Sequence, residues 1–245
     1  MKTIKPLITL TLTLTTFCSF GRDKTNDNFP TDFKRVQIGF NISPDLCFRT
    51  LKGNENSATS NFVMKNNKQR ETLKVAYTAG LNVCYNIKKS IGIETGIQYS
   101  NKGFQTKLDK VVPLVPDPTN PDKFKYIFNY HYLDFPLKVN FTFGENKVRF
   151  FSSAGITTNL FLKQIQTNAY NFPDRTVRTS NPTRYDYKKV NLSPNISIGI
   201  DYKINEKMNL RIEPTFRYGV IAISDDPVTD YLYNGGLNIS YYYGL

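Results

Sequence analysis

From Tyr132 to Leu162 apolar and polar residues alternate on both sides of one short break, and a period of two is the signature of a strand. Leu133, Phe135, Leu137, Val139, Phe141 and Phe143 share a face opposite Asp134, Lys138, Asn140 and Thr142. Gly144-Glu145-Asn146 is a turn composition. Beyond it Val148, Phe150, Ala154, Ile156, Leu160 and Leu162 oppose Arg149, Ser153, Gly155, Thr157 and Asn159. Both arms far exceed the roughly five or six residues usual in soluble sheets. The question such a hairpin poses is which face looks inward.

The same pattern recurs along the chain and predicts eight strands, near 34–43, 72–86, 91–107, 132–143, 148–162, 188–202, 208–220 and 231–245. Tight turns at Lys88-Lys89-Ser90, Gly144-Glu145-Asn146 and Asn205-Glu206-Lys207 alternate with long polar or Pro-containing connections. Brief turns on one side and long loops on the other are the asymmetry of a membrane barrel. The polar face is Gly, Asn, Ser and Thr with scattered charges, whereas a water-washed face would carry more Lys and Glu. It is therefore read as a crowded lumen, and the apolar face as the lipid face. The predicted fold is all-β, an eight-stranded antiparallel up-and-down transmembrane β-barrel whose closure leaves no unpaired edge in hydrocarbon.

The first 21 residues have a basic start (Lys2, Lys5), an apolar Leu/Thr run and small residues at Ser19 and Gly21. They read as a secretory signal peptide, with 22–33 a periplasmic lead-in and 34–245 the barrel. Net charge is +12. An exported chain meets little nucleic acid, so the basic excess points to lipid phosphates, those of lipopolysaccharide among them. Cys47 and Cys84 fall near opposite ends of adjacent strands, beyond the roughly 7 Å Cα limit of a disulfide, and are expected as free thiols.

The segment Tyr132-Leu133-Asp134-Phe135-Pro136-Leu137-Lys138, with Ala154-Gly155 in the following strand, resembles the PorT-like outer-membrane β-barrel family of Bacteroidetes. Tyr132, Leu133, Pro136, Lys138 and Gly155 carry the motif. The resemblance implies an outer-membrane location and a structural or interaction role in protein secretion or envelope assembly, with other envelope or secretion proteins as partners.

The inward face gathers Lys74, Glu94, Asp134, Lys138, Arg149, Asp201, Arg211, Glu213 and Arg217, expected to pair with one another in a lumen just wide enough for side chains. Gly80, Gly96, Gly155, Gly199 and Gly219 would make room for them. Pro136 and Pro214 each remove a ladder donor, and a bulge or bend is expected there. Arg49, Lys52, Lys65, Lys68 and Arg70 in the first long connection are candidate lipid-phosphate contacts. Asp225, Asp226 and Asp230 in the last could bridge divalent ions. His131 is the only histidine, and with no nucleophile at a suitable spacing no catalytic site is expected. No Cys/His metal spacing or phosphate-cradling Gly loop occurs, so no cofactor is expected. A non-enzymatic barrel is the leading reading. A small porin-like barrel with a narrow polar lumen is the alternative, and a lipid A-modifying barrel enzyme the third. Both termini are expected on the periplasmic side.

Overall fold

A computed structural model describes residues 34–53, 57–112, 120–183 and 185–245; the expected signal peptide and lead-in lie outside the described residues. Twelve elements follow in order: β1 (Val36–Gly53), α1 (Ala58–Arg70), β2 (Glu71–Thr72), β3 (Lys74–Lys88), β4 (Ile91–Thr106), β5 (Asp109–Lys110), β6 (Lys123–Phe143), β7 (Val148–Asn171), β8 (Thr176–Pro182), β9 (Val190–Lys203), β10 (Met208–Tyr218) and β11 (Val228–Gly244). Eight of them close into a ring of antiparallel ladders, β1-β3-β4-β6-β7-β9-β10-β11 and back to β1. The first and last strands pair along almost their whole length, from Gln37 opposite Gly244 to Gly53 opposite Val228.

The turn end is formed by the three tight turns, with Gly144 at a φ of +104° that a side-chain-free residue adopts without strain. At the other end, here the loop end, β1, β6, β7 and β11 run further than the sequence predicts. β6 and β7 are 21 and 24 residues long, against the roughly 9–11 a tilted strand needs to cross a bilayer. Much of the expected loop 164–186 is strand: β7 continues to Asn171 and pairs with β8, and Pro182 ends that outer strand, where a missing donor costs nothing. The first long connection likewise contains α1, capped by the Ser57 side chain accepting from Ser60 N at 3.3 Å, with Lys68 and Arg70 in its last turn.

The alternation decides the faces as predicted. Asp134, Lys138 and Asn140 are buried, while Leu137 is 61% exposed and Val139, Phe141 and Phe143 are also exposed. Leu81, Ile97, Ile156, Ile196 and Ile198 continue an apolar belt around the outside. A water-soluble monomer rarely exposes a contiguous apolar patch beyond a few hundred Å², so only hydrocarbon can be the solvent of this belt. Aromatic rings border it, Tyr77–Tyr99 and Tyr218–Tyr233 toward the loop end, Phe40–Tyr241 and Phe143–Phe150 toward the turn end.

At Pro136 and Pro214, where a bulge or bend is expected, no bulge forms. β4 and β6 lose their ladder pairs between Thr95/Leu137 and Gln98/Asp134 but resume in the same register, and β9 and β10 do likewise around Pro214. A lost donor opens a ladder without requiring an extra residue. The register shifts lie instead at His131/Tyr132, where Leu162 is the extra residue on β7, and at Asn86/Lys88, where Ile87 is the extra residue on β3. Cys47 and Cys84 are free and buried, paired across the β1–β3 ladder with Lys74 and Gln37 toward its opposite ends.

Candidate functional site

The polar faces of eight strands converge on the bore, and the network at its centre has two carboxylates and two cations. Glu94 on β4 is fully buried, its Oε1 2.7 Å from Lys138 Nζ and its Oε2 accepting from Arg211 at 2.9 Å and Asn140 at 2.7 Å. Glu213 on β10 lies 3.6 Å from the same Lys138 Nζ and accepts from Asn238 at 2.7 Å and Ser197 at 2.5 Å. The Arg211 guanidinium is sandwiched between Phe151, 3.9 Å away, and Tyr242, 4.5 Å away. Aromatic faces suit this ion because a guanidinium is planar and weakly hydrated. Charges taken out of water are tolerated only when paired and hydrogen-bonded, and here the pairs balance.

Other pairs fill the levels above and below. Arg149 meets Asp201 at 2.5 Å toward the turn end. Toward the loop end Arg217 lies 3.5 Å from Asp45, and Lys102 lies 3.2 Å from Asp134, which also accepts from Asn159 at 2.7 Å. All nine residues of the expected network line the bore, and eight of them pair. Lys74 is the exception; it donates to the Asn101 side-chain carbonyl at 2.7 Å. Asp45 lies past the predicted end of the first strand at 43 and Lys102 within the third, and both continue the inward parity of those strands, Asp45 with Asn41 and Ser43 and Lys102 with Gln98 and Ser100. Phe151 was missed because an apolar residue at an inward position carries no signal until the cation it covers is seen.

Four of the five motif residues prove to be parts of this interior. Tyr132 is buried under Lys102, whose Nζ is 5.2 Å from its ring, and meets Phe161 edge-on; Leu133 faces out and Pro136 inward. Gly155 stands opposite Lys138, and a Cβ there would lie 2.2 Å from Leu137 O and 2.7 Å from Lys138 Cα. Backbone atoms cannot step aside, so Gly155→Ala is expected to cost on the order of 1–3 kcal/mol. The urea midpoint of the folded barrel in detergent would show it, and Gly144→Ala in the turn, where a Cβ has 3.8 Å of clearance, is the comparison for φ alone.

Among the described residues, apolar side chains cross the mouth at the loop end. Phe104, Tyr130, Tyr132, Ile223 and Leu232 form an apolar cluster across it, joined by Tyr187 and Phe161. Ile223 belongs to the β10–β11 connection, which folds inward with Lys188 N donating to Ile223 O and Ile223 N to Asp230 O. Arg49, expected as a lipid contact, is instead turned into the protein here, its side chain 11% exposed. It forks onto Glu71, meets Asp230 at 2.5 Å and lies over Phe104 at 3.7 Å. Burial, against the pull of Arg49, raises the Asp230 carboxyl, with Glu71 and Asp226 adding to the rise. The expected acidic ion site is not assembled: Asp230 serves Arg49, Asp225 pairs with Lys188 at 2.6 Å, and Asp226 accepts from Tyr185 and Ser224. Of the other candidate lipid contacts, Lys52 lies over the Tyr231 ring, and Lys65, Lys68 and Arg70 are exposed on α1. Just below the cluster a void of about 10 Å³, lined by Lys102, Asn159, Asn191 and Asn234 among others, has room for a single water.

His131 stacks on Tyr99 and shares a 2.5 Å hydrogen bond between Nδ1 and the phenol. Neither ring touches Ser152 or Ser153, which pair with Phe141 and Asn140 further down the β6–β7 ladder.

A closed ring of eight long strands, apolar outside and ion-paired inside, defines an integral outer-membrane β-barrel. The chain belongs to the family described as outer membrane protein beta-barrel domain, whose model matches residues 23–225. The closing strand β11 lies past that match. No curated protein matches the sequence. Among solved structures it is similar to Neisserial surface protein A, at 9% identity over 86% of this chain and 97% of that one, TM-score 0.42. OprG from Pseudomonas aeruginosa compares at 10% identity over 86% and 97%, TM-score 0.44, and the Escherichia coli outer membrane protease OmpT at 9% over 88% and 98%, TM-score 0.44.

Proposed function

We propose that the protein is a non-conducting, non-enzymatic outer-membrane component that acts through its projecting loop-end ribbon, in envelope assembly or protein secretion as its PorT-like motif implies. The observation that carries this reading is the ribbon itself. β6 and β7 extend well past the bilayer span, and β8 is exposed along all seven residues. Surface built out this far from the membrane, with its outer strand β8 exposed throughout, is surface for contact with something else. Against conduction stand the filled bore and the apolar cluster across its mouth; against catalysis stands the lone His131, held by a tyrosine with no serine or carboxylate bonded to it among the described residues. The proposed topology places the ribbon outside the cell and both termini in the periplasm.

The test is complementation of a deletion strain with the full chain and with a form in which residues 166–182 are replaced by a short turn. The shortened barrel should still show a heat-modifiable band, yet fail to restore the profile of secreted and surface proteins. Trypsin added to whole cells should cleave the ribbon near Arg175 and Arg178. Full complementation by the shortened form would overturn the reading, and steady single-channel conductance or altered lipid A in the deletion strain would favour the porin or the enzyme.

A further inference from the structure

The opposite end of the barrel carries a second surface. Each tight turn contributes lysines: Lys88 and Lys89 between β3 and β4, Lys147 between β6 and β7, and Lys203 and Lys207 around the β9–β10 turn. The ladders bring these turns around one rim. Lys203 N donates to Lys147 O at 2.7 Å, Gly244 N donates to Lys207 O at 2.7 Å, and Thr142 N donates to Ser90 O at 2.9 Å, tying neighbouring strand ends together. Lys88, Lys89, Lys147 and Lys207 are exposed and Lys203 half-buried, and among the described residues none of the five forms an ion pair. The carboxylates in these turns are Glu145 and Glu206, so positive charge dominates the rim. Directly beside it runs the turn-end aromatic border, Phe143–Phe150 and Phe40–Tyr241. Rings that sit at headgroup level place the lysines next to them at the depth of lipid phosphates. At the loop end Arg49, Lys188 and Arg175 are each matched by a carboxylate, while Lys65, Lys68 and Arg70 on α1 are exposed and make no ion pair among the described residues.

We propose that this lysine collar is a binding surface for anionic phospholipid headgroups and selects them from the leaflet it touches. With the turn end periplasmic, a point that rests on the topology proposed above, that leaflet is the inner, phospholipid one. The occupant follows from charge and position together: unpaired ammonium groups continuous with an apolar belt meet phosphates already held at that depth, and their attraction adds up along the rim.

The experiment needs only the full chain and defined lipid. The protein is reconstituted in phosphatidylcholine bilayers containing trace spin-labelled phosphatidylglycerol or phosphatidylcholine, and the motionally restricted fraction of each is read by electron spin resonance. Phosphatidylglycerol should associate about fivefold more strongly than phosphatidylcholine, the equivalent of roughly 1 kcal/mol for one basic residue near an anionic surface. The preference should approach unity in about 1 M salt, where the Debye length is about 3 Å. It should also approach unity in the variant Lys88→Gln, Lys89→Gln, Lys147→Gln, Lys203→Gln, Lys207→Gln. The variant Lys65→Gln, Lys68→Gln at the loop end should keep it. No preference in the wild-type barrel, its survival in the five-lysine variant, or its loss in the loop-end variant would each overturn the proposal. The heat-modifiable band reports folding of every variant. If the five substitutions together prevent folding, Lys88→Gln, Lys89→Gln alone should lower the preference measurably, and an unchanged value overturns the proposal too. Failure of the secretion reading would leave these ratios untouched.

Discussion

Glu94→Gln is expected to lower the unfolding free energy by about 3–5 kcal/mol, the cost of stripping one partner from a buried ion pair. Glu94 has no exposed surface and is approached by Lys138 at 2.7 Å and Arg211 at 2.9 Å. A glutamine of the same shape would keep one acceptor but turn an NH₂ donor toward one of two cations, leaving them to share Glu213. Urea titration of the folded band in detergent reads the loss. The diagnostic is the double variant. Removing Lys138 as well, as Lys138→Met, deletes an unmatched charge together with its missing partner, so Glu94→Gln with Lys138→Met should be less destabilised than the sum of the singles by at least about 1 kcal/mol. Strict additivity would mean that the central residues do not act as a network, and the lumen would have to be held by its amide and hydroxyl bonds alone.

The second large effect is on the other face. Leu137→Arg places a charge midway between the aromatic borders, opposite Thr95 and Ile156, and should destabilise the barrel by about 2–4 kcal/mol in a bilayer. The same substitution at a position 61% exposed to water would normally stay within about 0.5 kcal/mol. The magnitude therefore discriminates between solvents. Unfolding in lipid vesicles measures it, and a change under about 0.5 kcal/mol would require the apolar belt to be covered by protein rather than lipid.

The motif residues illustrate how conformation and chemistry are divided along the chain. Lys138 and Gly155 looked in sequence like a charge and a spacer. In the barrel they stand opposite one another: the glycine leaves room for the backbone of the lysine strand, and the lysine's ammonium group reaches Glu94 and Glu213 on two other strands.

Sequence by itself determined the number of barrel strands, which residues face inward, and the class of environment around the apolar face. These follow from local rules: a period of two assigns every side chain to one of two faces, and a polar face of Asn, Ser, Thr and Gly fits a packed interior better than open water. Turn chemistry was likewise local, and the tight turns fall where Gly144 and Asn205 predicted them. Tertiary structure decided who pairs with whom. Arg211 and Glu94 are brought together only by ring closure, and Arg49 could look like a surface cation until α1 and the inward-folded β10–β11 connection held it inward beside Glu71 and Asp230. Alternation gives the face of a residue but not its height along the bore, because height depends on the stagger between strands, and stagger is a property of the closed ring. The extension of β6 and β7 into a ribbon was hidden for a related reason. Beyond the lipid belt the outer face no longer meets hydrocarbon, the two-residue pattern fades, and cross-strand pairing holds residues 164–171 and 176–182 in sheet.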